Sequence, residues 1–144
     1  MKVVAQRVLE ASVKVDDKIV GKIGKGIMLL VSFTEGDDIK NIEYMAKKVA
    51  NLRIFDDNSG IMNLSVQDIN GKVLSVSQFT LYGDALKGNR PSYIKALNGD
   101  KARDLYELFN EKLKEFVPVE TGVFKADMKV SLINDGPVTI IIEK

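Results

Sequence analysis

Four short segments hold the side chains that could do chemistry. The first is Val73-Leu74-Ser75-Val76-Ser77-Gln78-Phe79-Thr80-Leu81, which turns polar toward its C-terminal end. As one continuous strand, it would place Gln78 and Thr80 on the face of Leu74 and Val76, roughly 7 Å apart, with Ser77 and Phe79 pointing the other way. An amide and a hydroxyl that continue an apolar face before a long loop can floor a pocket, although the same residues also suit an ordinary strand end. The second segment is Asn134-Asp135-Gly136-Pro137-Val138-Thr139. Its first residues favour a tight turn, and Gly136 tolerates the backbone angles its neighbour Pro137 imposes. Proline cannot donate to a ladder, so such a tip leaves carbonyl oxygens without an obvious partner. An X–Pro bond in a tight turn is also where cis peptides concentrate. A plain hairpin turn would explain the composition equally well.

The third segment, Lys87-Gly88-Asn89-Arg90-Pro91-Ser92-Tyr93, is basic and carries an aromatic ring. It could hold a phosphate or stack a base, or be a solvated loop. In the fourth, Thr121-Gly122 through Asp127-Met128, Phe124 and Met128 are either core residues or an apolar slot for a base or a sugar face.

What is missing narrows the chemistry further. The chain has neither cysteine nor histidine. That removes thiolate nucleophiles, thiolate or imidazole metal sites, and a Ser-His-Asp relay. Any hydrolysis must then rest on hydroxyls, carboxylates, backbone dipoles or groups brought by the substrate. No carboxylates fall at a ligand spacing, and Gly21 to Gly26 is neither a phosphate loop nor a dinucleotide fingerprint. No metal and no cofactor is expected.

The elements that must position these residues follow from hydrophobic periodicity. Val3 to Val15 reads as a strand, Asp16-Asp17-Lys18 as a turn, Ile19 to Ile23 as a second strand, and Ile27 to Phe33 as a strand buried on both faces. Ile39, Ile42, Met45, Ala46 and Val49 recur at helical spacing, with Asp37 or Asp38 placed to cap. Leu52 to Phe55 is expected as a short strand, followed by a turn at Asp56 to Gly60, and Lys72 to Leu81 as a further strand. Tyr82 to Gly99 is a long loop. Asp100 is expected to cap a second helix facing inward through Ala102, Leu105, Phe109, Leu113 and Phe116, stopped by Pro118. Strands Met128 to Ile133 and Val138 to Glu143 close the chain around the tight turn. The pattern implies one α/β domain over residues 1–144: a curled, mixed, barrel-like β-sheet with two main helices packed on one side.

Composition agrees. At 144 residues, 45% hydrophobic and 28% charged, the chain can bury a core without disulfides. No apolar run approaches a membrane span, and Gln6 and Arg7 interrupt any signal core, so a cytoplasmic place is expected, with no membrane partner. The net charge of +1 gives no global footprint for nucleic acid, which leaves room only for a grip on the end of a strand.

Taken together, the segments are more specific than any one alone. The sequence closely resembles the D-aminoacyl-tRNA deacylases along essentially its whole length. Gln6-Arg7-Val8 with Ala11-Ser12-Val13 is similar to that family's first strands. Ser77-Gln78-Phe79-Thr80-Leu81 matches its first signature, and Asn134-Asp135-Gly136-Pro137-Val138-Thr139 its second, the Gly-cis-Pro motif. Arg53-Ile54-Phe55, Met62-Asn63-Leu64, Gly88 to Ser92 and Thr121 to Met128 fall where the family has similar stretches. Lys125 departs from it, standing where a small residue is expected.

The resemblance implies a homodimer of barrel-like subunits acting on an amino acid esterified to the 3′-terminal adenosine of tRNA, with no DNA partner. Each Gly136-Pro137 tip would reach into the partner's site and exclude L side chains, while D side chains point outward and achiral glycine slips through. Thr80, Gln78 and Phe79 are the implied catalytic residues. Ser77 and Gln78 would orient the ribose, Phe124 and Met128 would cradle the adenine, and Arg7 would brace the motif through a charge-assisted hydrogen bond to backbone. With no histidine as base, attack by water assisted by the neighbouring ribose hydroxyl is preferred over attack by Thr80. The rival readings are a non-catalytic RNA-end binder, a structural β-dimer, and the proofreading domain fused to archaeal threonyl-tRNA synthetases.

Overall fold

The computed structural model describes residues 1–144. Strand β1 (Lys2–Val15) turns back through Asp16 and Asp17, at φ 47° and 61°, into β2 (Lys18–Ile23). Two left-handed residues in a row are what a two-residue hairpin demands, and aspartate tolerates the conformation. Next, β3 (Gly26–Ser32) returns along β1 and is buried almost throughout. Helix α1 (Ile39–Ala50) and the small hairpin of β4 (Phe55–Asp56) and β5 (Met62–Leu64) then cross over to β6 (Lys72–Ser77), which lies parallel to β3. A second crossover through α2 (Gly99–Lys114) brings β7 (Val119–Thr121) parallel to β6. Parallel neighbours need such long connections, and the helices they carry explain why both strands are covered.

The last strand, β8 (Lys129–Glu143), runs antiparallel to β1 over nearly the full length of both. It occupies one edge of β1, so β2 and β3 share the other. The resulting order is β2-β1-β3-β6-β7, with β8 beside β1. The sheet curls until its ends nearly meet. A Cβ built on Gly21 of β2 would lie 2.8 Å from the Thr121 carbonyl of β7, so only glycine permits this approach. One core fills the space between the sheet and the two helices, from Val3, Ile27, Leu29 and Val31 to Met45, Phe109 and Leu113. A second, smaller core of Val8, Ala11, Val13, Ile23, Met28, Leu74 and Val76 fills the inside of the curl. The α/β fold of a curled mixed sheet with two helices on one side is thus the one the sequence implies. No helix is long and apolar enough to cross a membrane.

The structure decides between the two expected caps of the first helix and corrects several other local expectations. The first helix is capped by Asp38, whose carboxylate accepts from the Lys40 and Asn41 amides at 2.9 and 3.1 Å. Asp37 instead takes the Thr34 amide and the Met1 ammonium. The N-cap position of the second helix is Asn98, not Asp100; Asp100 lies inside the first turn, paired with Arg103 at 2.9 Å. Its inward face carries Tyr106 and Asn110, whereas Phe116 is 37% exposed. Leu52 to Ile54 is irregular because its amides bond locally, Leu52 to Val49 and Ile54 to Leu52, leaving only Phe55–Asp56 to pair.

Two corrections bear on function. The strand expected through Leu81 ends at Ser77. The Gln78 amide makes a last bond to the Val31 carbonyl at 2.8 Å, and Phe79–Tyr82 then winds into a 3-10 turn. Nor do residues 134–137 form a hairpin turn. The chain does not reverse there, because residues on both sides pair with β1 in the same sense. Gln6 faces Thr139 and Val8 faces Asn134, so the intervening residues bulge out of a continuous strand.

Candidate active site

Where β3 and β6 end side by side, a cavity of about 370 Å³ opens at their carboxyl ends. Ligands favour this position in parallel sheets because the strands stop while the loops continue. Ser77 and Gln78 lie on its wall with Val76 below them, and Phe79 follows from the first residue of the 3-10 turn. Phe124 and Met128 line the cavity as well. Five of the residues singled out from sequence, Ser77, Gln78, Phe79, Phe124 and Met128, therefore line one cavity. They come from segments far apart in the chain.

Thr80 does not line that cavity. It is exposed beside it, and its Oγ1 accepts a hydrogen bond from Gln78 Nε2. The 3-10 turn brings these two side chains into hydrogen-bond contact, where a continuous strand would have left them on one face roughly 7 Å apart. The same turn leaves the amides of Phe79 and Thr80 at its start, where N–H groups have no intrahelical carbonyl to reach. The exposed Phe79 ring packs edge-on against Tyr93 of the long loop, with centroids 5.1 Å apart.

Several lining residues were not legible as site residues. Ser32 and Phe33 arrive with β3, and Leu97, Asn98, Gly99 and Ala102 with the start of α2. The signal for β3 lay in the helix between two apolar strands, which implies parallel pairing and therefore adjacent carboxyl ends. Beneath the cavity, the buried Tyr106 hydroxyl donates to the Ser75 carbonyl at 2.7 Å, and its ring lies 5.9 Å from that of Phe124. Burial raises the Tyr106 pKa, so the phenol stays neutral and keeps its proton for that bond. Tyr106 thus ties α2 to the strand that carries Ser77.

Arg7, Gly136 and Pro137 stand apart from this cavity. The Gly136–Pro137 peptide is cis, and both residues are exposed on the β8 bulge. Arg7, only 7% exposed, grips the bulge from β1: its Nε donates to the Asp135 carbonyl at 3.1 Å, and its Nη1 to the Ile54 carbonyl at 2.9 Å. The Asp56 and Asp135 carboxylates lie 3.3 Å from the guanidinium and balance its charge. Asn134 closes the loop, accepting from the Val138 amide at 2.8 Å and donating to Thr139 Oγ1 at 3.0 Å. The bulge is therefore tied down on both sides, yet none of its residues lines the cavity of its own chain.

Comparison with known proteins follows the same geometry. A family model described as D-Tyr-tRNA(Tyr) deacylase matches residues 4–143. A solved structure described as "c-Myc DNA Unwinding Element Binding Protein" superposes with a TM-score of 0.94 at 42% identity, covering 100% of this chain and 99% of that one. Another, described as a probable eukaryotic D-amino acid tRNA deacylase, gives a TM-score of 0.82 at 18% identity, covering 98% and 97%. At that identity the second likeness speaks to the fold alone.

Proposed function

The chain belongs to the D-Tyr-tRNA(Tyr) deacylase family, hydrolases of the ester bond in D-aminoacyl-tRNA, and from that premise we propose how its residues divide the work. Residues 1–144 act as one deacylase domain in a homodimer. The cavity at the ends of β3 and β6 takes the 3′-terminal aminoacyl-adenosine. Phe124 and Met128 cradle the adenine, and Ser77 and Gln78 orient the ribose. The observation that carries this reading is that these four residues and Phe79 line a single cavity of about 370 Å³. That is within the range for small-ligand sites.

Chirality is selected by the Gly136-Pro137 segment of the partner subunit. Support comes from its exposure, its bracing by Arg7 and Asn134, and its absence from its own chain's cavity. A rigid segment brought beside the α-carbon fills the space an L side chain needs and leaves a D side chain free to point outward. Its carbonyls can accept hydrogen bonds from the α-ammonium group. Glycine, lacking a side chain, escapes this exclusion, so glycine mischarged on alanine tRNA is also hydrolysed.

Water is the nucleophile, activated by the ribose hydroxyl adjacent to the ester. The amides of Phe79 and Thr80 stabilise the developing oxyanion, the arrangement in which preorganised donors contribute most. Support lies in the absence of histidine and cysteine from the chain and in the position of Thr80 outside the cavity lining.

The decisive experiment is a deacylation time course on D-Tyr-tRNA and L-Tyr-tRNA at equal enzyme concentration, without added metal. Rapid loss of the D-ester alone is expected. Equal, slow loss of both esters would reduce the protein to a binder of RNA ends.

A further inference from the structure

Only one charged residue lines the cavity, and it is Lys125. Its backbone sits at φ 63°, the left-handed region that a long L side chain seldom occupies. Glycine would hold the same bend without steric cost, and a non-glycine outlier beside a ligand cavity points to use of its side chain. Its ammonium forms no ion pair. The neighbouring carboxylate, Asp127, is taken by Lys129 at 2.7 Å. The cations in the first turns of α2, which also borders the cavity, are neutralised as well: Lys101 by Glu35 and Arg103 by Asp100.

We propose that Lys125 receives a backbone phosphate of the RNA strand whose end enters the cavity. The inference rests on the deacylase reading of that cavity. The other lining residues, such as Phe124, Ala126 and Met128 on the same segment, are uncharged and suit a nucleoside. They offer nothing to the phosphodiester that leads away from it. A single unpaired ammonium on a flexible stem suits one phosphate, as a point charge with no demand for bidentate geometry. Lys125 therefore discriminates a nucleotide chain from an isolated nucleoside ester, and contributes to substrate affinity rather than to bond cleavage.

The test compares D-Tyr-tRNA with the D-tyrosyl ester of adenosine, which has no phosphate, using Lys125→Gly, Lys125→Gln and Lys125→Arg. With tRNA, Lys125→Gly and Lys125→Gln are expected to raise KM roughly fivefold to tenfold at nearly constant kcat. The dependence of log(kcat/KM) on log salt should become shallower by about 0.7, the increment for one phosphate on a single strand. The ratio of kcat/KM for the tRNA ester over the nucleoside ester should fall by the same fivefold to tenfold, and Lys125→Arg should restore it. Lys125→Gly relieves the left-handed strain, so a loss in that variant is not a loss of folding. An unchanged ratio and salt slope in Lys125→Gly, with the wild type active on both esters, overturn this inference alone. A wild type inert toward D-Tyr-tRNA overturns the deacylase reading and this inference with it.

Discussion

Arg7 Nε donates to the Asp135 carbonyl at 3.1 Å while its Nη1 reaches the Ile54 carbonyl at 2.9 Å, so one guanidinium couples β1, the β8 bulge and the entry to β4. Both acceptors depend on the fork geometry of arginine. Arg7→Met is expected to lower stability by about 3 kcal/mol, because two partly buried carbonyls lose a charged donor. A lower urea midpoint at unchanged m would show it. Arg7→Lys keeps the charge but cannot span both oxygens, and should recover less than half of the loss. Because the bulge loosens, the preference for D-Tyr-tRNA over L-Tyr-tRNA should narrow in both variants. A loss under about 1 kcal/mol with selectivity intact would remove the bracing role.

Gly136 allows a test of sharing between subunits. It sits at φ 121°, and an added Cβ would lie 2.9 Å from Val138 Cγ2 and 3.0 Å from Arg7 Nη2. Gly136→Ala is expected to cost about 1–3 kcal/mol and to disable the tip. Gln78→Ala disables the cavity instead. If each site uses the cavity of one chain and the tip of the other, co-refolding the two weak variants in equal amounts restores activity. Half the dimers are then mixed and each has one intact site, giving roughly a quarter of wild-type activity. A mixture no better than its components would place tip and cavity in the same chain or outside the mechanism.

How far these relations could be read from the sequence depends on their range. Periodicity located β1, β2, β3 and both helices because each buries a stripe of its own residues. Gln78 to Leu81 alternates polar and apolar residues, which carries the sequence pattern of the strand past its true end at Ser77. What ends the strand is the loss of its partner: after the Gln78 amide takes the Val31 carbonyl of β3, the Leu81 and Gly83 amides bond back to the Gln78 and Thr80 carbonyls. The segment Asn134 to Pro137 has the composition of a reversal, yet the chain continues straight because β1 is long enough to pair with it on both sides. Turn propensity is local and strand partnership is not. The site segments were legible as motifs, but gathering them into one cavity required the parallel pairing of β3 and β6.

Tyr82 makes stability depend on alkaline pH. Burial, then the nearby Asp37 and Glu143 carboxylates, disfavours the phenolate and pushes its pKa up to about 12. In the unfolded chain a tyrosine titrates near 10. The folded state thus holds the proton more tightly, so this contribution is complete below about pH 10 and is lost as pH rises toward about 12. Urea midpoints measured across that window should fall, and Tyr82→Phe should fall less steeply than wild type. The buried Tyr106, also raised, adds a slope of the same sign. A wild-type midpoint that stays flat through this range would contradict the assignment.

Thr80 offers the clearest decision on mechanism. Its hydroxyl is exposed, lies outside the cavity lining and accepts from Gln78 Nε2. Gln78 cannot take the proton, since an amide is no base at neutral pH, and the chain has no histidine that could. A threonine without a base is a poor nucleophile. Substituting valine removes the oxygen while keeping the shape, so Thr80→Val should retain kcat within about threefold if the substrate supplies its own general base. Replacing the terminal adenosine by its 2′-deoxy form removes that base, and should lower kcat by about 100-fold or more, the usual scale of general acid–base assistance. The two changes separate cleanly because one alters only the protein and the other only the substrate. A folded, tRNA-binding Thr80→Val protein without activity, together with normal turnover of the deoxy ester, would make Thr80 the nucleophile.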